Sequence, residues 1–205
     1  MDYLDYARQA EWNGPKSQQS PVDLPTTTAT MTVSEQPITI NFTGTSPLKK
    51  DCQVHGDQFH GTGTLTWQGT TYQFRRVHFH DGSEHLIDGQ AHAMEMHFVF
   101  EGPNEAKLVL ARFGEVDPTG FDLIKVLNET ATSKDLNQLF TSPSPYFAYV
   151  GSLTTPPLSP HVQWLVLTTP ISITPASLRQ LHVAFPENHR ACQPILLGTE
   201  ITLYQ

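Results

Sequence analysis

The sequence has no long apolar run, few basic residues and only two cysteines. No stretch reaches the roughly 18–20 consecutive apolar residues of a membrane-spanning helix, so we expect no membrane span. Lys and Arg number 12 against 20 Asp and Glu, and the formal net charge is −8. Because nucleic-acid backbones are bound by basic surfaces, this balance argues against a nucleic-acid partner.

Targeting signals and cysteine motifs are also missing. The first residues show neither the basic region nor the apolar region of a signal peptide. We therefore expect a cytoplasmic protein, with a periplasmic or secreted protein that has lost its leader as the alternative. Cys52 and Cys192 fit either one disulfide or two unpaired buried thiols. Neither lies in a Cys-x-x-Cys pair, which argues against a cysteine metal site.

The patterns that are present predict a mainly β protein with short peripheral helices. A length of 205 residues with 38% hydrophobic residues suits one domain over residues 1–205. Gln68-Gly69-Thr70 separates two β-rich runs and predicts a hairpin, whereas residues 43–63 predict a loop or an irregular edge. Further strands are expected in residues 30–42, 107–113, 148–153, 161–168 and 194–204.

Three short helices are expected outside the strands. Helical spacing predicts two of them over residues 121–128 and 134–139, the second with Ser133 as its N-cap. The third is predicted to begin at Thr174-Pro175 and end at Leu181, because Pro is favoured at the first helical position after a capping Thr.

Residues 76–101 contain five of the ten histidines in the chain. Alternate side chains of a strand share a face, so His78 and His80 point the same way, as do Glu95 and His97. Three imidazoles around one ion, with a fourth position open, are typical of a catalytic zinc site. The sequence therefore predicts a metal site formed by the three histidines, with Glu95 as the hydrogen-bond acceptor that orients His97.

The Asp88-Gly89 pair is a strong signal for a two-residue hairpin turn between the two histidine strands. Counting back from this turn along both strands places His80 directly opposite His97. A bulge near Gly82 would shift that register.

Three other residues of the segment, Glu84, His85 and His92, lack this ligand spacing. Glu84 suits an orienting carboxylate, and His85 and His92 are expected to pair with each other further down the hairpin in structural or surface roles. A second hypothesis makes Glu84 a ligand, because His78-x-His80-x-x-x-Glu84 matches the first motif of the cupins, jelly-roll proteins that bind iron or manganese. The glycine spacing and the later cupin motif are absent.

Motifs through most of the chain resemble the α-class carbonic anhydrases, of the bacterial type. The matching segments are QSPVDL at 19–24, VHFHDGSEH at 77–85, AMEMHFVF at 93–100, GSLTTPPL at 151–158 and VQWLVL at 162–167. The resemblance implies a large, twisted, mostly antiparallel central sheet. It also implies reversible hydration of carbon dioxide to bicarbonate and a proton by a zinc-bound hydroxide.

The resemblance further implies a role for each matching residue. His78, His80 and His97 correspond to the zinc ligands. Thr154 corresponds to the residue that accepts a hydrogen bond from the hydroxide and donates one to Glu84. Around the ligands, Glu95 would accept a hydrogen bond from His97, and the backbone carbonyl of Asn188 would accept one from His80.

The carbon dioxide pocket and the proton path are expected around these residues. The resemblance implies an apolar wall, for which ordinary core packing is the alternative, formed by Val99, Val109, Leu153, Val162 and Trp164. His55 and His60 are the candidate proton shuttles, and Tyr6 resembles the tyrosine of the family's water network.

Two departures from the family pattern keep a second function open. Arg76 replaces a Gln that accepts from the first ligand histidine, and Lys49-Lys50-Asp51-Cys52 replaces the segment that carries the usual shuttle. A carbonic-anhydrase-like binding protein with weak or lost catalysis is therefore the alternative. For the enzyme, the expected partners are carbon dioxide and bicarbonate, sulfonamide or anion inhibitors, and a second copy in a homodimer.

Overall fold

The computed structural model describes residues 4–33, 37–141 and 144–205. Within them, strands are the main elements and the helices are short. The strands are β1 (Asp23–Leu24), β2 (Thr30–Thr32), β3 (Thr39–Phe42), β4 (Lys49–Gln53), β5 (Gly56–His60), β6 (Gly63–Trp67), β7 (Thr70–Asp81), β8 (Leu86–Ile87), β9 (Met94–Glu101), β10 (Lys107–Phe121), β11 (Tyr146–Ser152), β12 (Pro160–Ile173) and β13 (Ile201–Tyr204). The helices are α1 (Ile124–Leu127), α2 (Pro175–Ala184) and the 3-10 helices Tyr6–Glu11, Pro103–Glu105 and Ser133–Phe140. None of the helices in these ranges is long and apolar enough to cross a membrane.

One 11-stranded sheet dominates the described residues. Its main order is β2-β13-β11-β12-β10-β9-β7-β5-β4, and β6 pairs with both β7 and β3. Only the β10–β12 and β13–β2 pairs are parallel, so the sheet is mostly antiparallel, as predicted. The remaining strands, β1 and β8, form a separate parallel pair.

Alternate side chains of the central strands β9 and β10 point to opposite faces of the sheet and pack in two separate cores. Met96 and Phe98 face a large aromatic core that also contains Leu110. On the opposite face, Val99 packs in a second core with Ala111, the β10 partner of His97. The strand β9 is buried along nearly its whole length, so the polar side chains on its second face must find partners inside the protein.

Residues 43–63 contain regular structure, which the prediction of a loop or irregular edge missed. They include β4 and β5, an antiparallel hairpin in which Gly56, at a φ of 113°, directly follows the turn and pairs with Gln53. The edge strand β4 carries exposed Lys49 beside mostly polar residues. Charged residues protect an edge strand from pairing with other chains, and they also remove the apolar alternation that would have revealed it.

Two further predictions of local structure need correction. Thr132, not Ser133, caps its 3-10 helix, because Thr132 and Asp135 exchange side-chain-to-backbone hydrogen bonds in a capping box. Only Ile201–Tyr204 of residues 194–204 is a strand. The preceding loop is held instead by Gln18, whose Oε1 accepts from the backbone N–H of Leu196.

The predicted turns are present. The helix predicted over residues 121–128 is limited to the four residues of α1, because β10 continues to Phe121, and the helix predicted to end at Leu181 continues to Ala184. Ile87 bridges to Gln90 across the Asp88-Gly89 turn, and Thr174 caps α2 with Pro175 at its first position. Cys52 and Cys192 are both unpaired; Cys52 is exposed, which corrects the expectation of a buried thiol there.

Candidate metal centre

Strands β7 and β9 carry the three histidines of the predicted metal site. Their antiparallel pairing sets His78 directly opposite His97 and His80 opposite Glu95. The predicted register, with His80 opposite His97, is therefore wrong. Gly82 has a φ of 80° and leads the chain out of the regular ladder before the turn. Because the displacement is two residues, an even number, the histidines keep their common face.

The three imidazoles converge, and two of them present free lone pairs to each other. Nε2 of His80 and Nδ1 of His97 lie 3.1 Å apart. Nδ1 of His80 donates to the backbone oxygen of Asn188 at 2.7 Å, and Nε2 of His97 donates to Oε1 of Glu95 at 2.8 Å. Since each ring has committed its proton to an acceptor, the two facing nitrogens are both acceptors. A cation between them would satisfy both.

His78 completes the cluster without an outer partner. One nitrogen from each of the three rings lies within 4.8 Å of the other two. Nδ1 of His78 is buried and has no hydrogen-bond partner among the described residues. Burial, and then the neighbouring His80 and His97, lower the pKa of His78 well below its ordinary value. The ring is therefore held neutral, which is the form that binds metals.

Arg76 occupies the position beside His78 where an acceptor was expected. Its Nε donates to Oε1 of Gln58 at 2.7 Å. Gln58 is buried, and its amide also reaches the backbone oxygen of Gly56 at 3.3 Å. The arginine thus interacts with a neighbouring strand and leaves the imidazole of His78 without an acceptor.

Glu95 is the buried carboxylate that holds this site together. Its Oε1 accepts from His97 and from Nδ1 of His85 at 2.7 Å, and its Oε2 accepts from the backbone N–H groups of Glu84 and His85. Burial alone raises the pKa of Glu95, but the interactions with His85 and His97 outweigh it and hold the pKa well below its ordinary range. Glu95 is therefore an anion that aligns His97.

His85 does not pair with His92, contrary to the prediction. His85 is fully buried, and its Nε2 lies 2.7 Å from the hydroxyl of Tyr149. That hydroxyl is in turn 2.7 Å from Oγ of Ser20. The ring of His92 instead contacts Oε1 of Glu115, because the chain leaves the hairpin ladder between these positions.

Glu84 is buried next to the histidines. Its Oε1 accepts from the backbone N–H of Arg190 at 2.6 Å. Its Oε2 has no hydrogen-bond partner and lies 3.5 Å from Nε2 of His80 and 3.8 Å from Nδ1 of His97. Thr154 is also buried, but no hydrogen bond joins Thr154 to Glu84 among the described residues.

This arrangement agrees with comparisons with known proteins. The sequence matches the model of the eukaryotic-type carbonic anhydrase family over residues 7–196. The chain belongs to this family. A carbonic anhydrase from Neisseria gonorrhoeae is 35% identical over 192 residues, which cover 86% of this chain and 74% of that protein. The α-carbonic anhydrase of Thermovibrio ammonificans, solved with the inhibitor sulfanilamide, has a TM-score of 0.81 at 28% identity, covering 91% of this chain and 87% of that one.

Not every relative of this chain is named a carbonic anhydrase. Dioscorin dioA3 from Dioscorea japonica is 31% identical over 138 residues, which cover 62% of this chain and 51% of that protein. The chain spans about half the length of several curated relatives that it matches. The cupin hypothesis is therefore wrong. The chain belongs to the carbonic anhydrase family, and its 11-stranded sheet is not a jelly roll.

The five residues expected to form the apolar wall of a carbonic anhydrase lie together beside the histidines. Val99, Val109, Val162 and Trp164 belong to one buried cluster, and partly buried Leu153 packs against it. The ring of Trp164 lies 4.9 Å from the ring of His97, centroid to centroid. An apolar surface therefore borders the metal centre directly.

Of the three residues expected to serve proton transfer, two lie together and the third lies apart. Tyr6 and His55 line a cavity of about 290 Å³ together with Asn188, whose carbonyl holds His80. The hydroxyl of Tyr6 is buried and has no hydrogen-bond partner in the described part of the chain, and burial followed by the nearby Glu84 raises its pKa. Burial lowers the pKa of His55. His60 is exposed and lies 3.7 Å from the carboxylate of Asp51.

Several residues that support the site were not predicted to do so. Tyr149, Ser20, Gln58 and Arg190 all reach it from segments far away in sequence. Ser20 falls inside the family motif at 19–24, which is a signal that could have identified it. Gln58 falls in the segment that we predicted to be irregular, so nothing in the local pattern indicated it.

Proposed function

We propose that this chain binds zinc through His78, His80 and His97 and catalyses the reversible hydration of carbon dioxide to bicarbonate and a proton. The observation that carries the proposal is the 3.1 Å distance between Nε2 of His80 and Nδ1 of His97. Both nitrogens have free lone pairs, because the other nitrogen of each ring carries the proton and donates it in a hydrogen bond. Neutral nitrogen ligands with fixed outer partners suit zinc. When bound, zinc would lower the pKa of a water at its open position to about 7 and so supply a nucleophile at neutral pH.

The residues around the ligands would orient and protect the reaction. Glu84 is fixed by the N–H of Arg190 and keeps Oε2 free beside the histidines. The hydroxyl of Thr154 would donate a hydrogen bond to this carboxylate. Its fixed position would then set the direction of attack on carbon dioxide, an orientation effect. The apolar wall around Trp164 would receive a neutral gas and exclude competing water.

The cavity that joins Tyr6 and His55 would carry the released proton outwards. Asn188, whose backbone carbonyl accepts from His80, also lines it. His55, with a pKa lowered by burial, would be neutral at physiological pH and able to accept a proton. His60 is the second candidate, because it is exposed to buffer.

The deciding experiment combines metal content and hydration rate on a single purified sample. We expect one zinc per chain, a measurable carbon dioxide hydration rate, and inhibition by an aromatic sulfonamide. Zinc without hydration activity would favour the second candidate, a carbonic-anhydrase-like binding protein. The observation that favours that candidate is the missing hydrogen bond between Thr154 and Glu84. A chain that binds no zinc would overturn the proposed zinc enzyme.

A further inference from the structure

Arg112 is a buried cation on the face of the sheet opposite the metal centre. It lies in β10 between Ala111 and Phe113, which face the core beside the histidines. Arg112 therefore faces the other way, towards the aromatic core, and is only 5% exposed. Arginine is rarely buried to this extent unless it is paired with an acid, because desolvating a charge is costly.

No acid pairs with this guanidinium among the described residues. Nε and Nη1 of Arg112 are buried and have no hydrogen-bond partner there. The contact that the group does make is with the ring of Phe140, whose centroid lies 5.6 Å from Cζ. The ring face attracts the cation, but it does not accept hydrogen bonds from the N–H groups as an oxygen atom does. Burial lowers the pKa of Arg112 to about 10, so the group stays charged at neutral pH.

Arg112 lines a cavity of about 520 Å³. This volume lies within the range of sites for small organic molecules. The walls are largely apolar or aromatic and include Ile38, Ile40 and Leu167. Tyr146 and Tyr204 stack on each other at one side, with centroids 4.8 Å apart and an interplanar angle of 8°. No acidic side chain lines the cavity within the described ranges.

We propose that this cavity is a second binding site, which takes a small organic carboxylate with an aromatic or aliphatic body. A guanidinium is a favoured partner of a carboxylate, and Arg112 lines the cavity with no acid beside it among the described residues. The aromatic walls would cover the body of the ligand. An inorganic anion would satisfy the charge but leave most of the volume unfilled.

Two tryptophans make the test specific to this site. The indole N–H of Trp67 donates to the hydroxyl of Tyr146, a wall of the cavity, at 3.2 Å. The indole N–H of Trp164 donates to the backbone oxygen of Ser152, and its ring borders His97. In a nitrogen–proton NMR spectrum, a ligand in the cavity should shift the Trp67 indole signal, whereas a ligand at the metal centre should shift that of Trp164.

The probe is benzoate, with the neutral isostere benzamide and inorganic phosphate as comparisons. We expect benzoate to shift the Trp67 signal saturably, and benzamide and phosphate to bind at least about tenfold more weakly. Arg112→Gln should weaken benzoate binding by at least about tenfold as well. The matched control is Arg75→Gln, which removes an exposed arginine paired with Glu101 and should change nothing.

Four results would overturn the proposal. They are a Trp67 signal that benzoate does not move, equal binding of benzamide, equal binding of phosphate, and undiminished binding by Arg112→Gln. If Arg112→Gln does not fold, the comparison of benzoate with benzamide on the unaltered chain decides. None of these readouts depends on the hydration activity.

Discussion

Nε of Arg76 donates a hydrogen bond to Oε1 of Gln58 at 2.7 Å. This bond explains how a cation is accommodated two residues before the first histidine of the metal centre. It also means that Nδ1 of His78 lacks the acceptor that His80 and His97 each have. One of the three proposed ligands is therefore held less firmly than the other two.

Arg76→Gln should strengthen zinc binding by about tenfold, because an outer acceptor for a ligand imidazole is worth 10–100-fold in affinity. The same change should lower the free energy of unfolding by about 1–3 kcal/mol, since it takes the donor from the buried oxygen of Gln58. Zinc affinity is measured by competition with a chelator and stability by urea denaturation. Arg75→Gln is the control. Unchanged or weaker zinc binding would show that His78 needs no acceptor from this position.

His97→Ala should abolish hydration and release zinc. The loss of affinity should exceed the ~10–100-fold that removal of an outer partner costs, because a direct ligand is deleted. His92→Ala is the matched control, as His92 lies in the same segment but contacts Glu115. Zinc content and hydration rate are measured on both variants. Full activity in His97→Ala would remove this residue from the ligand set.

Thr154→Ala should lower the turnover on the order of 10²-fold while zinc stays bound, because the change affects only the orientation of attack. Oε2 of Glu84 has no hydrogen-bond partner among the described residues, so removal of the Thr154 hydroxyl takes no bond from it and the fold should lose little stability. Stopped-flow hydration and metal analysis of the same preparation test this. A turnover equal to that of the unaltered chain would exclude Thr154 from the mechanism.

The stability of the metal-free protein should depend on Glu95 in acid. The pKa of Glu95 in the folded chain lies well below its ordinary value of 4.5. A carboxyl with a depressed pKa stabilises the fold above the unfolded-state pKa and loses that contribution as the pH falls through the folded-state pKa. Glu95→Gln should cost about 3 kcal/mol near neutral pH. The difference between the two proteins should shrink as the pH falls below about 4.5, which urea denaturation at each pH would reveal. A difference that is constant with pH would contradict the ionised assignment.

The sequence was informative wherever a local rule was sufficient. Alternation placed His78 and His80 on one face, and the Asp88-Gly89 turn formed between the strands. The register failed because Gly82 takes the chain out of the ladder, and the number of residues lost there cannot be counted from the pattern. The edge strand β4 was missed because its residues are polar on both faces, so its sequence shows no apolar alternation.

The supporting residues were hidden by distance along the chain. Arg190 bonds to Glu84 across 106 positions, and Tyr149 approaches His85 across 64. Contacts of this kind depend on the arrangement of the whole sheet, and no periodicity within one segment encodes them. The family resemblance predicted the role of Asn188, whereas the roles of Ser20, Arg190 and Gln58 became visible only in three dimensions.

The hydrogen bonds around Glu95 also decide whether the metal centre can be transplanted. The three proposed ligands lie within one hairpin of adjacent strands, which invites excision as a short peptide. The group that fixes the ring of His80 comes from Asn188, and the carboxylate that fixes His97 is itself braced through His85 and Tyr149 to Ser20. A peptide limited to the hairpin would keep the ligands but lose control of their tautomers. For protein engineers, the smallest graftable unit is consequently close to the entire chain.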